Sequence, residues 1–152
     1  MPVSDYQQKN AASADLTSAA LHGLANAGIA TLAEYDNSAA ANLNHWADFE
    51  LVLDAEGAGI PNAGSWFELH FLVAPDGTNY STAATLAQGI TQNLFAGNWI
   101  LQALGINRVV LRDVALPSYK LKPYIYNASG VATAAVGGSS VKMFPRRRQG
   151  VI

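Results

Sequence analysis

The chain has 152 residues, enough for one domain with a core of its own, and no cysteine. Disulfides, zinc–thiolate centres and thiol nucleophiles are thereby excluded. Charged residues make up 13% and the formal net charge is −2, so the chain shows no basic face of the kind that nucleic acid selects.

So little charge with so many apolar residues fits a surface largely covered by other chains, or equally a bland, Ala-rich monomer. No run of about 18 apolar residues exists, so no membrane-spanning helix is expected. The first ten residues, MPVSDYQQKN, lack the basic, apolar and small-residue pattern of an export signal. The expectation is a protein made and kept in the cytoplasm of the cell that makes it.

Residues 1–19 are rich in Ser, Ala, Gln and Asn and poor in large apolar groups. Helix propensity allows a helix over Ala11–Ala20; a tail that orders only against a neighbour is the other reading. As such an arm it would anchor through Tyr6 and Leu16, with one domain over 20–152. Ile29–Tyr35 alternates and reads as a strand closed by Asp36-Asn37-Ser38. His45–Asp54 alternates clearly: Ala47, Phe49, Leu51 and Leu53 share one face, and Trp46, Asp48, Glu50 and Val52 the other. A Gly- and Pro-rich loop, 56–64, leads to the strongest strand, 65–74, whose Phe67, Leu69, Phe71 and Val73 form one face. Pro75-Asp76-Gly77 then forces a tight reversal.

Ala83–Ile90 is a possible helix by propensity, and Asn98–Leu104 reads as a strand. Arg108–Leu116 reads as a strand by its valines. Leu121–Tyr126 alternates around Pro123, which lacks a donor and predicts an edge or bulged strand. Val141–Arg146 is the last strand. About seven or eight strands with turn signals between them predict an all-β antiparallel sandwich or barrel.

Reaction chemistry is hard to find. His22, His45 and His70 have no partner at metal-ligand spacing, and no metal or other cofactor is expected. Glu68 and His70 share a strand face and can touch, as an acid–base pair or as an outer-face polar pair. Asp48/Glu50 and Asp54/Glu56 lie too close along one segment to flank a glycosidic bond. Ser65, Ser139 and Ser140 lack a nucleophile-elbow context. The outer-face aromatics Trp46, Trp66, Tyr124 and Tyr126 could stack on a sugar or be covered by a neighbouring subunit. Arg146-Arg147-Arg148 is the only charge run; it suits a subunit contact better than DNA, given the net negative charge.

Four stretches carry a resemblance: LHGLANAGIATLAEYDNSAAAN at 21–42, ELHFLVAPDGTNYS at 68–81, RVVLRDVALPSYKLKPYIYNASG at 108–130 and VKMFPRRRQ at 141–149. Over residues 20–150 the chain resembles small virion structural proteins of tailed bacteriophages. That resemblance implies a jelly-roll-like β-sandwich that serves as a head decoration (cement) protein or as a tail-associated module. It implies no catalytic motif, and the protein is not expected to be an enzyme. The implied partners are further copies of the chain and the major capsid protein, with neither nucleic acid nor membrane contacted directly, and the implied location is the virion. Tyr6, Leu16, Trp46, Trp66, His70, Arg146, Arg147 and Arg148 are the expected partner contacts. A tail or fibre module that binds a host glycan through Trp46 or Trp66 is the alternative.

Overall fold

The alternation of the two best strands sets the architecture. In the computed structural model β5 (Trp46–Leu53) and β6 (Trp66–Ala74) lie in different sheets and turn their apolar faces toward each other. Phe49, Leu51, Phe67, Leu69 and Phe71, with Leu53 at the margin, are all buried in one continuous core. The Phe49 and Phe71 rings meet across the interface, centroids 5.6 Å apart. The structure describes residues 7–10, 12–39, 43–53, 64–80, 94–102, 107–135 and 138–149. The expected helix at Ala83–Ile90, most of the 56–64 loop and Tyr6 lie outside them.

The other strands are β1 (Gln7–Asn10), β2 (Ala14–Asp15), β3 (Ile29–Thr31), β4 (Tyr35–Asp36), β7 (Leu94–Ile100), β8 (Asn107–Ala115), β9 (Lys120–Ala128) and β10 (Ser140–Gln149). One sheet runs β1-β10-β5-β8, with β2 also on β10; the other runs β3-β9-β6-β7, with β4 also on β9. All pairs are antiparallel. Taking β1/β2 and β3/β4 as two broken edge strands leaves eight positions. Their pairings nest: β6 with β7, β5 with β8, β3/β4 with β9, and β1/β2 with β10. A long hairpin rolled upon itself gives this order, and it is the jelly-roll path. No α-helix occurs among the described residues.

Two expectations are corrected here. Pro123 does not mark an edge, because β9 lies between β6 and β3/β4, with nine successive pairs to β6. The N and C=O of one strand residue point to the same side. The Pro123 carbonyl accepts from Leu32 N at 2.8 Å, so its donor-less nitrogen faces the β3/β4 edge. That edge is interrupted at residues 32–34, and no bond to β6 is lost. Pro145 repeats the device in β10, opposite the gap between β1 and β2.

The second correction concerns the segment 1–19. β1 and β2 pair with β10, and Leu16 is 1% exposed within the core. Leu16 N donates to Val141 O at 2.9 Å, and Leu16 O accepts from Ala33 N at 3.2 Å. A segment with few large apolar groups can still be integral when its one leucine is well placed and its backbone completes an edge. Leu16 is therefore no anchor for a partner, and residues 7–10 and 12–19 belong to the sandwich. The helical option also fails over the described part, 12–20, where β2 leads into a short 3₁₀ turn at Ala19–Leu21.

The turn after β6 has the expected chemistry. Gly77 N donates to Ala74 O at 2.9 Å, and Gly77 has φ +77°. Asp76 accepts from Thr78 N at 2.9 Å, Asn79 N at 2.7 Å and Asn79 Nδ2 at 2.7 Å. Those donors, the Asn79 N–H first, hold the Asp76 carboxyl down at about 2. The folded value is depressed, so this stabilisation is present above the ordinary carboxylate range and is lost as pH falls toward 2. A Cβ on Gly77 would meet nothing within 4 Å, so replacement costs backbone strain alone. Gly77→Val is expected to lower the unfolding free energy by about 1–2 kcal/mol, seen as a lower denaturation midpoint with the slope unchanged, and Gly77→Asn to recover most of it.

Candidate functional site

The outer face of β6 carries Trp66, Glu68 and His70 in a row. Glu68 joins them: its Oε1 accepts from Trp66 Nε1 at 3.1 Å, and its Oε2 lies 2.9 Å from His70 Nε2. The contact expected between Glu68 and His70 is present. His70 is not exposed to a partner, however. It is 1% exposed, stacked on Tyr124 (4.9 Å, 11°) and edge-on to Phe95 (5.3 Å). The cross-strand register causes this, since His70 lies opposite Tyr124 on β9 and Phe95 on β7. Trp66, at the end of the row, is 40% exposed. Glu68 thus fixes the plane of an exposed indole against a buried imidazole.

A second cluster lies on the outer face of the other sheet. Opposite Ala47 and Phe49 of β5, β8 carries an extra residue, a bulge around Arg112-Asp113. Asp113 takes φ +55°, a conformation that Asp tolerates better than most residues. Its N–H donates to Asp48 Oδ1 at 2.9 Å. Arg146 Nη2, from β10, donates to Asp48 Oδ1 at 2.5 Å and Asp113 Oδ1 at 2.6 Å. One guanidinium therefore clamps β10, β5 and the β8 bulge. Arg146 is engaged within the fold rather than reaching for a partner. Arg keeps its charge, so the cluster is an ionic cross-link between three strands. Sequence order hides it, because Asp48, Asp113 and Arg146 meet only through strand pairing and a bulge.

Trp46 is half-buried beside His45, ring centroids 5.4 Å apart. Tyr124, expected among the outer aromatics, is 2% exposed under His70, and Tyr126 is half-buried. The sequence therefore named one exposed aromatic correctly, Trp66, and missed other exposed apolar side chains. Among the described residues these include Ile100 at 63%, Phe95 at 57%, Tyr119 at 43% and Val110 at 42%. Phe95 and Ile100 belong to β7 and Val110 to β8, strands that each pair on one side only among the described residues. The two open edges run side by side. A cleft of about 470 Å³ there is lined by Phe71, Phe95, Arg112 and Leu116, among others. A second, of about 480 Å³, is lined by Ile100, Val109 and Val110 but also by the polar Gln102, Asn107, Arg108 and Arg112. The signal that could have found this flank is β7 itself, LFAGNWI, which has no charge.

Among the described residues no group of three His, Asp or Glu side chains converges as metal ligands. No helix of the described residues is long and apolar enough to cross a membrane. No known family profile matches the chain, and a search of curated proteins finds no relative.

Proposed function

We propose that the protein is a structural component of a bacteriophage particle, a cement or decoration protein that self-associates and docks on the capsomers of the head shell. The observation that carries this reading is the β7/β8 flank. Open strand edges are ordinarily protected by charge, proline or a covering segment. Here β7 has no charged residue, and Phe95, Ile100 and Val110 are exposed beside it. The β7 side of this flank is apolar, while β8 beside it carries Arg108, Arg112 and Asp113; the exposed apolar part fits a surface that is covered in use. The jelly-roll path is also found in viral capsid and lectin domains, a likeness of architecture that supports the reading without identifying a site. A protein of this kind stabilises a shell by binding the assembled state only.

The test is the mass in solution of the native chain and of a Phe95→Lys/Ile100→Lys variant, with rebinding of each to particles stripped of the protein. The native chain is expected to be an oligomer that rebinds, and the variant a folded monomer that rebinds at least tenfold more weakly. A native monomer at high concentration, with a variant that rebinds equally well, would overturn the proposal. Deleting residues 1–19 is not a clean test, since it removes β1, β2 and Leu16.

A tail-located glycan-binding module is the second reading. Trp66 favours it: an exposed indole held in one plane by a carboxylate is a stacking surface for a sugar ring. In that case Trp66→Ala would abolish saturable glycan binding and leave self-association intact.

A further inference from the structure

β7 and β8 lie in different sheets, and they run side by side in opposite directions along one flank of the sandwich. Ile100, at the end of β7, shares a cleft with Arg108, Val109 and Val110 from the start of β8. Phe95 and Ala96, at the start of β7, share the other with Val114 and Ala115 from the end of β8. Between the clefts the strands touch: a Cβ on Gly97 would lie 2.8 Å from Leu111 Cδ1. Gly97 is therefore level with Leu111. Just beyond this level each strand carries its extra residue, at Ala96 in β7 and at Arg112-Asp113 in β8.

Residues that are level also face alike. Counting from Gly97 and Leu111, Asn98 is level with Val110, Trp99 with Val109 and Ile100 with Arg108. Asn98, Ile100, Arg108 and Val110 are all exposed, on the outward positions of the period. Trp99 is fully buried and Val109 packs on the core. The two strands differ in charge. β7 has none, whereas β8 carries Arg108 and Arg112, its one anion, Asp113, being held by Arg146.

We propose that two copies of the chain join here as a two-fold dimer in which β7 of each copy adds antiparallel to β8 of the other. The proposal rests on the reading of this flank as a self-association surface and names its geometry. The axis of a two-fold dimer lies in the contact plane, either across the strands or along them. An axis across the strands sets β8 against β8 and brings Arg108 and Arg112 of both copies onto one seam, where like charges repel. An axis along the strands sets each β8 against an uncharged β7. This second axis leaves every residue at its own height, so the register follows from the single chain: Gly97 meets Leu111 of the second copy, Asn98 meets Val110 and Ile100 meets Arg108. Outward positions meet outward positions, and the two bulges fall opposite each other, so the strands stay in step past them. The edges that are open among the described residues are then paired, and β9-β6-β7 of one copy runs on into β8-β5-β10 of the other.

The experiment is disulfide trapping, which a cysteine-free chain allows without background. Asn98→Cys and Val110→Cys are made as separate full-length variants, both at exposed positions. In the proposed register their Cα atoms come within the roughly 4.4–6.8 Å that a disulfide spans. The two variants, mixed and oxidised, are expected to give at least about tenfold more covalent dimer than either one alone. Ile100→Cys mixed with Arg108→Cys, the next pair on the same face, is expected to behave likewise. Thr31→Cys, exposed on β3 at the far edge of the sheet, is mixed with Val110→Cys to measure random collision. Two results overturn this pairing and leave self-association standing, given a native chain that is an oligomer: Asn98→Cys that cross-links with itself, or both mixtures no better than the Thr31→Cys control. A native chain that stays monomeric at high concentration overturns the pairing and the self-association together.

Discussion

Trp99→Ala is expected to lower the unfolding free energy by about 3–5 kcal/mol, among the largest losses a single truncation produces. Trp99 is fully buried on the inner face of β7, opposite Phe67. Its indole crosses the sandwich and donates from Nε1 to the Phe49 carbonyl of the other sheet at 3.0 Å. The residue therefore fills core volume and ties an edge strand to a central one. At about 2–4 °C per kcal/mol for a domain of this size, the melting temperature should fall by roughly 10 °C. Trp99→Phe keeps most of the ring but removes the donor, and about 1–2 kcal/mol should be lost. Equilibrium denaturation measures both; a loss below about 1 kcal/mol for the alanine variant would mean that β7 is not held through this residue.

Asn127 is expected to be nearly as sensitive, for a polar reason. It is 0% exposed. Its Nδ2 donates toward Leu24 O at 3.1 Å, Ala25 O at 3.1 Å and Val131 O at 2.8 Å. Its Oδ1 accepts from Ser129 N at 2.9 Å and Ser129 Oγ at 2.6 Å. One side chain thereby secures the 24–28 loop to the end of β9. A buried group left without its partner costs about 1–3 kcal/mol, so Asn127→Ala should lose about 3 kcal/mol or more. Asn127→Asp separates this role from packing. An ionised carboxylate would face three carbonyl oxygens, so its folded pKa would be raised above the unfolded value. The penalty is then present at neutral pH and shrinks as pH falls through the raised value. Denaturation at pH 7 and pH 4 tests it, and an equal loss at both would refute the electrostatic account.

Period-two alternation was sufficient to read the inner faces of β5 and β6, because a strand buried on one side must alternate. The turn at Asp76-Gly77 was equally legible, since its residues carry the backbone conformation themselves. What escaped depends on contacts between distant segments. Pro123 reads as an edge residue until the gap opposite its nitrogen is seen. Leu16 reads as loose until its backbone is found bonded to Val141 and Ala33. His70 sits at an outward position of the period, yet outward is not exposed when Tyr124 and Phe95 flank it across the register. The candidate surface shows the same limit. Trp66 was visible as an outer-face aromatic, but the openness of the β7 and β8 edges follows from topology, which alternation does not encode. The Asp48–Arg146–Asp113 clamp is a product of pairing between strands far apart in the chain.

The nesting of the strand pairs also imposes an order on folding. The innermost pair, β6 with β7, closes the shortest loop, and each further pair must enclose the one before it. Contacts of such long sequence separation place the domain among slow folders, on the millisecond-to-second scale. During synthesis β5 can find β8 but lacks its other neighbour until residues 140–146 have emerged. Through that interval one edge of β5 is unpaired and open to another nascent chain. The danger of misassembly is therefore concentrated in the time before β10 inserts.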